Sequence, residues 1–172
     1  MPKLSQSLCD AINAQVQNEL ASAYLYLGMS AECSTQNYRG TAHWLRQQWE
    51  EELSHATKMM DYVLDRGNAL ALEEIPKPTF EFTTLTAVFE EVLSHERSVT
   101  GAINALYARA AEQNDYAAQT FLQWFVNEQV EEENTVRDVL DMLKIGGDQG
   151  AALLIVDRQL GERVASVDPS GA

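Results

Sequence analysis

Apolar residues recur along most of the chain at helical spacing, without the period-two alternation typical of strands. Glycine and proline are sparse and clustered, so they divide the chain into a few long segments. Thr84 and Asp115 are suitable N-caps, and Gly67 is a suitable C-terminal stop. We therefore predict four long helices, over about Leu4 to Cys33, Tyr38 to Arg66, Thr84 to Glu112, and Asp115 to just before Gly146.

The connections predict how these helices run relative to one another. Short turns join the first helix to the second and the third to the fourth, so each of these pairs is antiparallel. The stretch from 67 to 83, GNALALEEIPKPTFEFT, can span roughly 50 Å when extended, against roughly 40 Å for one helix. The second and third helices are therefore predicted to be parallel and joined by a long crossover, as in ferritin-like four-helix bundles.

A compact apolar block, Ala151 to Val156, follows the bundle and is too short to span a membrane. We expect a short fifth helix over about 148–162 and a flexible tail over 163–172. Together with a bundle over about 4–145, these segments make a single domain over 1–172. The apolar face of the fifth helix can be buried against neighbouring subunits or against its own bundle, and the sequence leaves both open.

Charge and cysteine content narrow the choice of partners. The 172 residues include 26 acidic and 12 basic side chains, for a net charge of -14. Such a field attracts cations and repels nucleic acid and anionic membranes. The two cysteines, Cys9 and Cys33, lie far apart, and the chain has neither a charged-then-apolar leader nor an apolar run of membrane length. We therefore expect a cytoplasmic protein whose partner is a cation.

Each predicted helix carries a glutamate near the middle of its apolar stripe, when residues are placed about 100° apart. One such glutamate has a simple alternative explanation, a misjudged rotation of the helix, but four together do not. His55 follows one of them by three residues and projects from nearly the same side, so the two form a Glu-x-x-His pair that can hold one ion. The four glutamates are Glu19, Glu52, Glu96 and Glu132.

Ionised carboxylates in an apolar interior must be protonated, paired or bound to metal. No lysine or arginine lies on these stripes near the glutamates. Two divalent cations would balance four carboxylates, which favours a dinuclear site. Carboxylate oxygens with one imidazole suit iron, manganese or zinc better than calcium or magnesium.

Four stretches, QVQNELASAYLYLGMS, WEEELSHATKMMDYVLDRGN, LSHERSVTGAINAL and FLQWFVNEQVEEEN, precede the apolar fifth segment. In this order and spacing the chain resembles the non-haem bacterial ferritins over nearly its whole length. The resemblance implies a hollow cage of 24 subunits. It also implies a ferroxidase activity that oxidises Fe(II) with dioxygen or hydrogen peroxide and stores a hydrated ferric mineral.

The resemblance also implies a set of iron ligands. One iron would be held by Glu19, Glu52 and His55. The other would be held by Glu52, Glu96 and Glu132, with Glu52 bridging and Gln129 close by. Three more acids match the family's third iron site, although a solvated or cage-facing acidic edge is almost equally consistent with their positions: Glu51, Glu128 and Glu131.

Tyr26 lies two turns beyond Glu19 on the same face. It resembles the family's tyrosine beside the di-iron centre, which can donate an electron or a hydrogen bond, although a tyrosine at such a position is more often a core aromatic residue. Trp124 has the same ambiguity. We expect His43 and His95 to be surface or helix-edge residues without a metal role.

Related families fit less well. Resemblance to a haem-containing bacterioferritin would require a second Glu-x-x-His on the fourth helix and a methionine after Glu52, where this chain has Gln129 to Glu132 and Leu53; we therefore expect no haem. A rubrerythrin-like peroxidase needs a cysteine-rich iron module, which two scattered cysteines cannot form. DNA-protecting mini-ferritins usually lack a fifth helix, whereas this chain is predicted to have one. From a different class, a metal-free acidic helical bundle that serves as an interaction module stays open.

Overall fold

The computed structural model describes residues 2–147 and 150–163. Its five helices are α1 (Gln6–Thr35), α2 (Arg39–Asp65), α3 (Leu85–Glu112), α4 (Tyr116–Gly146) and α5 (Gly150–Leu160). The four predicted long helices and the short fifth helix are therefore confirmed, close to the predicted bounds. None of these helices is long and apolar enough to cross a membrane.

Local sequence explains where the helices begin and end. The side chains of Ser5, Thr84 and Asp115 accept hydrogen bonds from the first turns of α1, α3 and α4. At the other ends of α1, α2 and α3, a left-handed residue turns the chain, and the next backbone N–H returns to a carbonyl of the last helical turn. These left-handed residues are Asn37, Gly67 and Asn114, with φ angles of 64°, 73° and 55°.

The connection between α2 and α3 runs along α1 for most of its length. Near the start of α1, the Asn13 side chain bonds to the carbonyl of Ala69 and the N–H of Ala71. Near its end, Gly28 leaves room for the ring of Phe80, which would lie 2.9 Å from an added Cβ. The connection thus carries the chain back along the bundle, so α2 and α3 are parallel, as predicted.

The core of the bundle has two apolar clusters with a polar layer between them. One cluster lies around Tyr26, Trp44 and Phe89, and the other around Ile12 and Phe125. The layer between them contains buried side chains that an apolar core usually excludes. Its members are Gln15, Glu19, Ser22, Gln48, Glu52, His55, Glu96, Gln129 and Glu132.

Helix α5 packs on its own bundle, against α2 and α4. Val156 and Leu160 are buried in the first apolar cluster. The carboxylate of Asp157 accepts hydrogen bonds from the N–H groups of Gly40 and Thr41 at 3.1 and 2.8 Å, and so caps the start of α2. Of the two predicted alternatives, the inner face of α5 is therefore buried against its own bundle. Its outer face stays exposed, with Leu154 and Ile155 at 70% and 67% exposure.

Candidate metal centre

The four glutamates on the core stripes all point inward. Glu19, Glu52, Glu96 and Glu132 are between 0% and 6% exposed. Each comes from a different helix of the bundle, and His55 is added by the next turn after Glu52. The predicted burial of these carboxyl groups is therefore confirmed, and their role as metal ligands stays a prediction.

Three of these residues lie close enough to share one ion. Glu19, Glu52 and His55 each offer a ligand atom, and the three atoms lie within 4.8 Å of one another. Nδ1 of His55 is 3.6 Å from an oxygen of Glu52. Glu19 Oε2 and Glu52 Oε2 are the buried side-chain atoms without a hydrogen-bond partner among the described residues. A buried carboxylate oxygen without a donor suits a cation.

Side-chain amides hold other carboxylate oxygens of the layer. Gln15 donates to Glu19 Oε1 at 2.8 Å, and Gln48 donates to Glu132 Oε2 at 2.9 Å. Such partners orient carboxylate ligands. Sequence reasoning missed both glutamines, although each stands four residues before a core glutamate on the same helix face, Gln15 before Glu19 and Gln48 before Glu52.

Glu96 and Glu132 lie outside the group of three but belong to the same layer. Gln129 donates to Glu96 Oε2 at 3.2 Å, so the predicted neighbour of the second iron does contact one of its predicted ligands. The Tyr26 hydroxyl donates to the other oxygen of Glu96. Tyr26 is therefore a partner of a candidate ligand as well as a core aromatic residue.

Burial and mutual repulsion make these carboxyl groups hard to ionise together. Burial, followed by the charge of Glu52, raises the pKa of Glu19 well above its usual value. Burial, followed by the charge of Glu96, raises the pKa of Glu52 in the same way. The pKa of Glu132 is raised to about 7, also by burial first and then by the charge of Glu96. Divalent cations would relieve this repulsion and displace the protons.

Aromatic rings pack around His55. Its ring meets Trp124 and Phe125 edge to face, with centroids 5.4 and 5.8 Å away. The Lys58 ammonium group lies over the Trp124 ring, 4.0 Å from its centroid. Trp124 therefore restricts the orientation of a candidate ligand.

The two other histidines lie outside the group of candidate ligands. His43 is exposed. His95 is half-buried at the edge of α3, and its Nε2 lies 2.8 Å from the hydroxyl oxygen of Ser22. Burial lowers the pKa of His95, which favours the neutral ring.

The three acids of the predicted third site have different surroundings. Glu51 is buried at 6% exposure, and its Oε2 accepts a hydrogen bond from Arg163 at 2.8 Å. Glu128 is half-buried and Glu131 is exposed. Sequence reasoning found no cationic partner near the core acids and missed Arg163, which lies at the end of α5 and outside every helical stripe. Of the tail predicted to be flexible, residues 164–172 lie outside the described residues.

The comparisons agree with this architecture. A family model described as a ferritin-like domain matches residues 9–145. A bacterial non-heme ferritin of Bacteroides fragilis is 41% identical over 160 residues, which cover 93% of this chain and 99% of the relative. A bacterial non-heme ferritin of Escherichia coli is 36% identical over 157 residues, covering 91% of this chain and 95% of the relative.

Solved structures give the same result. An open pore ferritin from the archaeon Archaeoglobus fulgidus has a TM-score of 0.92 and 40% identity, and the match covers 95% of this chain and 100% of that one. A humanized archaeal ferritin has a TM-score of 0.93 and 40% identity, with 96% and 100% covered. The chain therefore belongs to the ferritin family and is an iron-storing ferroxidase.

Proposed function

We propose that the polar layer binds two Fe(II) ions as substrate and oxidises them. Glu19, Glu52 and His55 hold one ion. Glu52, Glu96 and Glu132 hold the other, with Glu52 bridging the two and Gln129 close by. The proposal depends most on two buried oxygens that have no hydrogen-bond donor within the described part of the chain, Glu19 Oε2 and Glu52 Oε2. Their position beside an imidazole favours a transition-metal ion.

The donor set suits oxidation of iron. Negatively charged oxygens stabilise Fe(III) more than Fe(II), because the attraction grows with the charge of the ion. Two Fe(II) ions supply the two electrons that convert one dioxygen and two protons to hydrogen peroxide. Alternatively, they convert one hydrogen peroxide and two protons to two water molecules. The buried carboxyl groups release protons as the cations bind.

Tyr26 has a supporting role in this proposal. Its hydroxyl group donates to Glu96 and so holds one carboxylate oxygen in place. Burial, followed by the charge of Glu96, raises the pKa of Tyr26, so the hydroxyl keeps its proton and remains a donor. The same position places an oxidisable ring beside the second ion.

Storage requires an assembly with an interior. We propose that 24 copies form a hollow cytoplasmic cage that holds the ferric mineral, without haem. The exposed apolar residues Leu154 and Ile155 on α5 are suited to contacts between subunits. The net charge of -14 favours the accumulation of cations. Glu51, Glu128 and Glu131 form a third and weaker iron position beside the pair.

Glu52→Ala tests the site, because it removes the proposed bridging ligand. We expect loss of the rapid oxidation of the first two Fe(II) ions per subunit and a Zn(II) affinity lowered by more than the about 10–100-fold typical of a lost supporting group. The measurements are stopped-flow ferric absorbance in aerobic buffer and calorimetric titration with Zn(II).

Glu50→Ala is the matched control, since Glu50 is exposed on the same helix two residues away. It should oxidise iron as the wild type does, and both variants should elute with the wild-type assembly. If Glu52→Ala oxidises its first two irons at the wild-type rate, the assignment is wrong.

A further inference from the structure

Arg163 is held at the edge of the polar layer by contacts on several sides. It follows the turn after α5, and its N–H returns to the carbonyl of Leu160 at 3.3 Å. Its own carbonyl oxygen lies 2.8 Å from Nε2 of His43. Its guanidinium group lies over the ring of Trp44, 4.6 Å from the centroid. These contacts fix the position of the cation.

The guanidinium group of Arg163 points toward the carboxyl groups. One nitrogen donates to Glu51 Oε2 at 2.8 Å, and the other donates to Gln48 Oε1. The amide nitrogen of Gln48 in turn donates to Glu132 Oε2 at 2.9 Å. The side chains of Glu51 and Arg163 are 6% and 18% exposed, so solvent screens the pair only weakly. Arg163 is thus the partner of one acid and, through one glutamine, of another.

A metal ion at Glu51 would need the space and the negative charge that Arg163 uses. A transition-metal ion binds a carboxylate oxygen at about 2.0–2.2 Å. A guanidinium nitrogen that donates to the same oxygen would then lie close to the ion, and two cations repel each other strongly in a largely buried site. A metal ion and Arg163 at Glu51 therefore weaken each other's binding.

We propose that Arg163 is a positioning residue that competes with iron for Glu51. It weakens the third iron position more than the bridged pair, which it reaches only through Gln48 and Glu132. The inference rests on the proposed function, since it presupposes a cation position at Glu51. By reciprocity, a metal ion bound at Glu51 releases the Arg163 side chain from α2.

The test is calorimetric titration of the assembled protein with Zn(II), which binds without oxidation. Arg163→Gln removes the charge, and we expect the weakest class of sites to tighten by at least about tenfold, with a smaller change at the two tighter sites because only Gln48 links Arg163 to them. Arg163→Lys keeps the charge but loses the fork of donors, so its weakest class of sites should tighten less than in Arg163→Gln. Arg158→Gln removes an exposed charge from α5, five residues before Arg163, and should have no effect.

The outcomes separate the two proposals. If wild-type protein binds no Zn(II) at two tight sites per subunit, the proposed function fails. If those two sites are present but Arg163→Gln leaves the weakest class unchanged, the competition is wrong. The double variant Glu51→Gln with Arg163→Gln should lose the gain in affinity; if the gain persists, it does not come from Glu51. Circular dichroism and elution volume of each variant verify that the assembly is intact.

Discussion

At the scale of single residues, three adjacent glutamates have three different environments. Glu50 is exposed, Glu51 is paired with Arg163, and Glu52 is buried beside His55. Each step of about 100° around the helix moves the carboxylate to another side of α2. The burial of Glu52 and the exposure of Glu50 follow from the sequence, because they depend on helical periodicity alone. The partner of Glu51 does not, because Arg163 is distant in the chain.

Protonation of Glu132 makes stability depend on pH. Its pKa is raised by burial from 4.5 to about 7, so folding favours the protonated form. The contribution of protonated Glu132 to the free energy of unfolding is fully present below pH 4.5 and is lost as the pH rises through about 7. We expect protein treated with chelator to lose about 3 kcal/mol per subunit at most across this interval.

Glu132→Gln removes this titration, so the variant should show a flatter profile of melting temperature against pH than the wild type. Added Zn(II) should restore the stability that the wild-type protein loses at the upper end of the interval, because the cation replaces the proton. Thermal denaturation across the interval measures the first effect in chelator and the second in chelator-free buffer with Zn(II). A wild-type melting temperature that rises with pH over this interval would contradict the burial of a protonated carboxyl group.

At the scale of helices, periodicity and capping predicted most of the fold. Thr84 and Asp115 accept hydrogen bonds from the first helical turn, and Gly67 adopts the left-handed conformation after a helix. These roles depend on residues next to them in the chain, so the sequence predicts them. The docking of α5 was left open, since it depends on contacts between distant segments. Asp157 of α5 caps the start of α2, and the backbone of Asp157 packs closely on Gly40, which has no side chain.

Gly40→Ala tests the docking of α5. An added Cβ would lie 1.5 Å from the carbonyl oxygen of Asp157, so α5 must shift and the cap of α2 must weaken. We expect a loss of about 1–3 kcal/mol in the free energy of unfolding. Gly101→Ala is the control, because, apart from its chain neighbours and its own helix backbone, no atom of residues 2–147 and 150–163 lies within 4 Å of its added Cβ. That variant should be as stable as the wild type or up to about 1 kcal/mol more stable. Denaturant unfolding compares them, and equal stabilities would show that α5 does not pack closely on Gly40.

At the scale of the whole molecule, a bundle with one long crossover brings one glutamate from each of four helices into a single buried layer. Two apolar clusters enclose that layer and stabilise a fold whose centre is costly to ionise. The glutamates that face inward could be read from the sequence. The hydrogen bond from Gln48 to Glu132 could not, because it joins α2 to α4 across the core. The bond from Gln15 to Glu19 joins positions four apart in α1, so the spacing could have indicated it.

Anomalous diffraction from crystals soaked with Fe(II) or Zn(II) tests the central claim most directly. We expect two peaks per subunit within the polar layer, one among Glu19, Glu52 and His55 and the other among Glu52, Glu96 and Glu132, with Glu52 in contact with both. Metal peaks found only on the surface, with none beside Glu52, would contradict the account.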